Sequence, residues 1–210
     1  DLSASAVNIG ERAFADCSKL KVAFSGCSGI KEISIPDEAI EIGDMAFANC
    51  TSLKIVNFGE KLKKVGNYAF IGCTSLSKLI LPDNTEEIGK YAFYNCRSLE
   101  NLGELPNIKS VGGHAFENTA WIKNYKEDYI IFGDGVLISY RGKAENLTLQ
   151  DNIKTVGASA FLDNKTVKKL KITKNTKEIQ EEAFENSALE SIDLSASAVN
   201  IGERAFADCS

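Results

Sequence analysis

The sequence is short of the side chains on which most enzyme chemistry rests. It holds one histidine, His114, one tryptophan, Trp121, one methionine and three prolines. A single imidazole gives no histidine cluster for a metal, and no nucleophile, base and carboxylate stand at spacings that would converge in a cleft. The reading is therefore noncatalytic, with no cofactor and no metal site. The chain also has no run of 18 apolar residues, no signal-like apolar stretch at its start and no initiator methionine. It reads as a soluble fragment, with any export signal or anchor either outside it or never present. A net charge of −5 and a pI near 5.1 leave no excess of Lys and Arg for a general nucleic-acid surface.

What the sequence has in abundance is repetition. The phrase Ile42-Gly43-Asp44-Met45-Ala46-Phe47-Ala48-Asn49-Cys50 returns so that its Phe recurs at Phe70, Phe93 and Phe116, 23 residues apart each time. Further copies centre on Phe14, Phe24, Phe161, Phe184 and Phe206. A period of this length points to a solenoid. Ala precedes every one of these Phe residues, as expected where rings stack and the neighbouring backbone is crowded. Two places after each Phe stands Asn, Asp or Gly, the types that tolerate a left-handed backbone. This position is expected to end a short helical turn.

The next position holds Cys17, Cys27, Cys50, Cys73, Cys96, Thr119, Asn164, Ser187 and Cys209. Thr, Asn and Ser in the same column exclude a shared disulfide or metal role. The column is expected to be a buried ladder of small side chains bonding to the turn backbone. Cβ atoms stacked about 4.8 Å apart and pointing the same way suit a disulfide poorly, so free thiols are predicted. The Phe column, Phe14, Phe47, Phe70, Phe93, Phe116, Phe161, Phe184 and Phe206, is the second structural ladder.

Between the phrases runs a strand pattern, Ile30-Lys31-Glu32-Ile33-Ser34-Ile35-Pro36 and Leu76-Ser77-Lys78-Leu79-Ile80-Leu81-Pro82, apolar at the first, fourth and sixth places. Pro36, Pro82 and Pro106 follow it, where they stop pairing without removing a needed donor. A short stretch such as Glu86-Glu87-Ile88-Gly89 returns the chain to the AlaPhe turn, and Gly103 is expected to allow a bulge. The LxxLxL strand followed by IGxxAFxxC resembles the leucine-rich repeats of the BspA type along nearly the whole chain. The resemblance implies one α/β domain over 1–210, a right-handed solenoid with a parallel sheet on one face and short strands, turns and helical turns on the other. In many members it implies a bacterial or protist surface protein that binds host or matrix components.

Residues 1–18, DLSASAVNIGERAFADCS, are repeated letter for letter at 193–210. A recent duplication within a longer array, or a copied segment, accounts for this. Neither end carries a polar capping unit, so head-to-tail contact is expected, with 193–210 of one molecule taking the place of 1–18 in another. Phe14 and Phe24 are only 10 residues apart. The stretch Leu20–Phe24 fits both the phrase and the strand, and an imperfect coil is expected there.

From Trp121 to Arg141 a unit is replaced by an irregular, hairpin-like one spanning about 120–143. Residues 129–132 and 136–140 read as strands around Gly133-Asp134-Gly135. Trp121, Tyr125, Tyr140 and Arg141 either form an exposed recognition patch or fill the core of a wider coil. A Lys cluster follows, in which Lys168, Lys169 and Lys171 take outward strand positions and meet an acidic glycan or protein, or form a solvated face. The outward residues of the earlier strands, Lys31, Glu32, Lys54, Asn57, Ser77, Lys78, Glu100 and Asn101, carry no specificity signal, and His114 is expected to face solvent. The NxT triplets at Asn49, Asn146 and Asn164 are read as chance.

The sequence thus describes a noncatalytic binding module, at a cell surface or secreted, that holds a protein or glycan such as a host or extracellular-matrix component, without nucleic acid or membrane insertion. The other reading is a structural spacer or stalk.

Overall fold

In a computed structural model of the chain, Lys19, Leu20 and residues 24–209 are described. Phe14, Cys17 and the rest of 1–18 lie outside the described residues. Packing divides the chain into two compact units: residues up to Asn107 with His114–Tyr125, and Ile108–Gly113 with Lys126 onward.

In the first unit the apolar places of the LxxLxL pattern turn inward. Ile30, Ile33, Ile35, Leu76, Leu79 and Leu81 are all buried, while Lys31, Glu32, Ser34, Ser77 and Lys78 are exposed. That alternation is the period-two signature of a strand with one covered face. Strand Glu32–Ser34 pairs in parallel with Ile55–Asn57, and Lys78–Leu79 with Asn101–Leu102. The return strands Lys19–Leu20, Glu41–Ile42, Lys64–Val65 and Glu87–Ile88 pair in parallel in that order. Lys19–Leu20 is thus a return strand, and Phe24 stacks on Phe47 at 5.3 Å, so the phrase reading of the short interval holds. No bulge occurs at Gly103, whose amide still donates to Leu79 O at 3.0 Å.

The AlaPhe segments are turns, not α-helix. The amides of Ala46, Ala48 and Cys50 bond three residues back, to Gly43, Met45 and Phe47. Those of Met45, Phe47 and Asn49 donate instead to Asn67, Ala69 and Ile71 of the following coil. Left-handed residues explain why no helix propagates: Asn49 has φ 60°, as its type suggests, and Met45 has φ 57°. Tyr68, Tyr91 and His114 repeat the Met45 conformation, at a position where residue type gives no warning. Among the described residues the one α-helix is Ala120–Asn124, capped by Thr119, whose hydroxyl accepts from Ile122 N at 3.2 Å.

Glycines of the phrase at Gly66, Gly89, Gly157 and Gly202 allow coils to touch backbone to backbone. A Cβ on Gly89 would lie 2.6 Å from both Asn67 N and Gly66 C.

In the second unit, Tyr129–Phe132 and Val136–Tyr140 form the expected antiparallel hairpin, with an irregularity between Ile130 and Ile131. Val136–Tyr140 then pairs in parallel with Thr155–Val156, followed by Glu178–Ile179 and Asn200–Ile201. A second parallel sheet runs Asn146–Thr148, Lys169–Lys171, Ser191–Asp193.

Both ladders are present. Ring centroids along Phe24, Phe47, Phe70, Phe93 and Phe116 lie 5.3, 5.0, 5.3 and 5.5 Å apart. In the second unit Phe161, Phe184 and Phe206 follow at 4.7 and 5.2 Å. Cys27, Cys50, Cys73 and Cys96 are buried thiols and Cys209 a partly buried one, and none of them forms a disulfide among the described residues. The thiols of Cys50, Cys73 and Cys96 each donate at 3.1 Å to a carbonyl of the preceding coil, those of Phe24, Phe47 and Phe70.

Candidate ligand-binding face

Each strand of the sheet Asn146–Thr148, Lys169–Lys171, Ser191–Asp193 turns its middle residue, Leu147, Leu170 or Ile192, toward the core. Register then sets the outer residues in two rows. Asn146, Lys169 and Ser191 form one, and Thr148, Lys171 and Asp193 the other. These rows line an open depression of about 450 Å³.

The charges along it are unequally committed. Lys168, at the margin, holds Glu145 at 2.8 Å. This bond keeps the Glu145 carboxyl below its ordinary value and the Lys168 ammonium above its own. Asp193 is also held low, first by the Ser195 hydroxyl, which donates to it at 2.6 Å, and then by Lys171 at 3.6 Å. Lys169 is exposed and has no ion-pair partner among the described residues. The face therefore offers one ammonium outside any ion pair, whose charge also helps to hold Glu145 low, a second ammonium shared with a carboxylate, and the hydroxyls and amide of Thr148, Ser191 and Asn146. Such a set can bind carboxylate, sulfate or hydroxyl groups by hydrogen bonds. Among the described residues no group of three His, Cys, Asp or Glu is placed to hold a metal.

The aromatic residues of the irregular unit are distributed differently. Trp121 and Tyr125 belong to the first unit. Both are half-buried, with Trp121 edge-on to Phe116 at 5.4 Å and to Tyr125 at 5.5 Å. Tyr140 and Arg141 belong to the second unit. Arg141 is exposed, but Tyr140 is 6% exposed and packs on Phe161 at 5.4 Å and Tyr129 at 4.9 Å. Its amide donates to Ala160 O, as that of Phe47 does to Ala69 O, so Tyr140 fills a place in the Phe column. Gly142 leaves room for the extra hydroxyl, since a Cβ there would lie 2.3 Å from it. Tyr140 is thus a core residue and not part of an exposed patch.

Other features of the surface were not legible. The outward strand positions of the first unit are exposed as expected, but they include two large apolar side chains, Ile55 at 49% and Ile80 at 55%. His114 does not stand in solvent. It stacks on Tyr91 at 4.5 Å, continuing the Tyr68–Tyr91 stack at 5.2 Å, and its Nδ1 lies 2.5 Å from Glu117 Oε2. The signal was there in the 23-residue spacing of Tyr68, Tyr91 and His114.

A family model, the BspA type Leucine rich repeat region, matches residues 21–129 and 138–210 in six copies. No curated protein matches the sequence. Similar solved structures include a T. pallidum Leucine Rich Repeat protein, 21% identical over 88% of this chain and 66% of that one, with a TM-score of 0.42. The pneumococcal vaccine antigen PcpA is 20% identical over 79% of this chain and 51% of its own, with a TM-score of 0.43. A leucine rich cell surface protein from Faecalibacterium prausnitzii is 21% identical over 79% of this chain and 61% of its own, with a TM-score of 0.38. The chain spans between half and two thirds of the length of these three. Parallel strands recurring with the repeat, almost no helix and a family model covering most of the residues agree: the chain belongs to the BspA type leucine-rich repeat family and is a leucine-rich-repeat β-solenoid.

Proposed function

We propose that the protein is a noncatalytic binding module, displayed at a cell surface or secreted, which holds an extracellular protein or glycan on the sheet face built from Asn146, Thr148, Lys169, Lys171, Ser191 and Asp193. The observation that carries this reading is Lys169, exposed and in no ion pair among the described residues, at an open depression lined by the two outer rows of the sheet. An unpaired cation among hydroxyls and an amide is suited to acidic or hydroxyl-rich partners. Membership of the family supports the location. Among the described residues no helix is long and apolar enough to cross a membrane. Trp121 and Tyr125 of the first unit and, separately, Arg141 of the second remain secondary contact residues in this proposal. In this proposal the coils of each unit wind right-handed.

The test is a panel of immobilised extracellular-matrix proteins and acidic glycans probed with the wild-type chain and with Lys169→Glu. Expected is saturable, salt-sensitive binding that Lys169→Glu weakens at least tenfold without changing the melting temperature. Equal binding by both forms would remove this face as the site. Binding to nothing on the panel would favour the spacer reading, in which the repeats only position other domains.

A further inference from the structure

The coil formed by residues 193–209 sits on a seat made by the coil before it. Asn200 and Ile201 pair with Glu178 and Ile179. The amides of Glu182, Phe184 and Asn186 donate to the carbonyls of Glu203, Ala205 and Ala207 at 3.1, 2.8 and 3.0 Å. Phe206 stacks on Phe184 at 5.2 Å, and the Cys209 thiol reaches Phe184 O at 3.3 Å. Lys177 donates to the Ser197 hydroxyl at 2.7 Å, and Arg204 pairs with Glu185 at 3.2 Å.

Every residue that makes these contacts from the 193–209 side has an identical counterpart 192 positions earlier: Ser5, Asn8, Ile9, Arg12, Phe14 and Cys17 among them. A seat cannot distinguish two identical peptides. We propose that the seat on Glu178–Asn186 accepts residues 1–18 of a second copy in exchange for the molecule's own 193–210, so that copies join head to tail. Each hydrogen bond and ring stack broken when the resident segment leaves is remade by the incoming one. Exchange is opposed by the advantage of a tethered segment over one arriving from solution, an effective concentration on the order of millimolar, and by any contacts that 1–18 gives up in its own molecule. The resident segment is less covered than the coils of the first unit. Ile201 is 49% exposed and Phe206 and Cys209 are partly exposed, whereas Phe47, Phe70 and Phe93 are fully covered. A less covered coil opens more readily than a fully covered one.

The test uses the full chain in sedimentation velocity over a range of concentrations, with Phe206→Asp and the double variant Phe14→Asp/Phe206→Asp. Phe206→Asp removes the resident anchor and leaves the incoming one intact, so its association midpoint falls at least tenfold below that of wild type. The double variant, carrying the same damage at the seat, stays monomeric. A monomeric Phe206→Asp, or equal association of both variants, overturns the proposal. A second measurement covers the case in which Phe206→Asp does not fold: a fluorescent peptide of residues 1–18 is titrated with the wild-type chain. Saturable binding, lost when the peptide carries Phe14→Asp, supports exchange, and no binding at millimolar chain overturns it.

Discussion

The thiol of Cys73 donates to the carbonyl of Phe47, 26 residues earlier, at 3.1 Å with both groups buried. The bond ties one coil to the coil before it and pairs a turn carbonyl that water does not reach. Replacing Cys73 with Ala removes one of the two hydrogen bonds to that carbonyl, which still accepts from the Cys50 amide at 3.2 Å, and should cost about 0.5–1.5 kcal/mol. Cys73→Ser restores a donor, and recovers part of the loss. Urea denaturation of the three forms measures the difference.

Burial also governs the response to alkali. The Cys50 thiol is pushed up to about 12, chiefly because burial penalises the thiolate, with the neighbouring Cys73 adding to the shift. Cys73 is also raised, first by its hydrogen bond with Cys96 and then by burial. Tyr129 and Tyr140 shift upward too, burial again coming first. In each case the folded state resists losing a proton that the unfolded chain gives up more easily. Stability from these groups is complete below the unfolded thiol value, about 8.5, and declines as pH rises through that value toward the folded one. Denaturation midpoints that fall steadily from pH 8 to pH 11 would bear this out. A thiol reagent should modify the buried cysteines only at the rate of unfolding.

The contact of Gly89 with the backbone of Gly66 and Asn67 leaves no space for a methyl group. Gly89→Ala forces two coils apart and should cost about 1–3 kcal/mol. The same change at Gly103, where a Cβ would meet Ile80 at an ordinary 3.7 Å, should be close to neutral. Thermal melts of the pair separate the two cases.

Tyr140 distinguishes core from contact surface. Tyr140→Ala should destabilise the second unit by about 3–5 kcal/mol, as expected when a large ring is deleted from a packed column. Tyr140→Phe should retain most of the stability. If Tyr140→Ala instead melted like wild type, the residue would not be part of the core.

Much of this arrangement was legible in the sequence because stacking makes each contact recur at one interval. The Phe column, the Cys column and the left-handed Asn49, Asn95 and Asn118 follow from the 23-residue spacing and from residue type. Met45, Tyr68 and Tyr91 were not legible as left-handed, because none of them is a type that prefers that backbone. Tyr140 was legible only as core or exposed patch, and the spacing did not choose between them. It lies 21 residues before Phe161, follows Ser and not Ala, and sits in a hairpin. The polar face was only half legible. Outward positions for Lys169 and Lys171 follow from alternation, but which lysine is already paired depends on Glu145 and Asp193, fixed only by strand register.

The alternation of turn amides has a consequence for how the protein comes apart. Met45, Phe47 and Asn49 commit their hydrogens to the following coil, while Ala46, Ala48 and Cys50 keep theirs at home. No such coil can open by itself, because doing so strips partners from its neighbour. Unfolding is therefore cooperative between adjacent coils and cheapest where one flank is already uncovered. Amide hydrogen exchange should accordingly be slow at Phe70 and Phe93, whose rings are covered on both sides, and quick at Ile201, so that protection reports a coil's distance from an open edge.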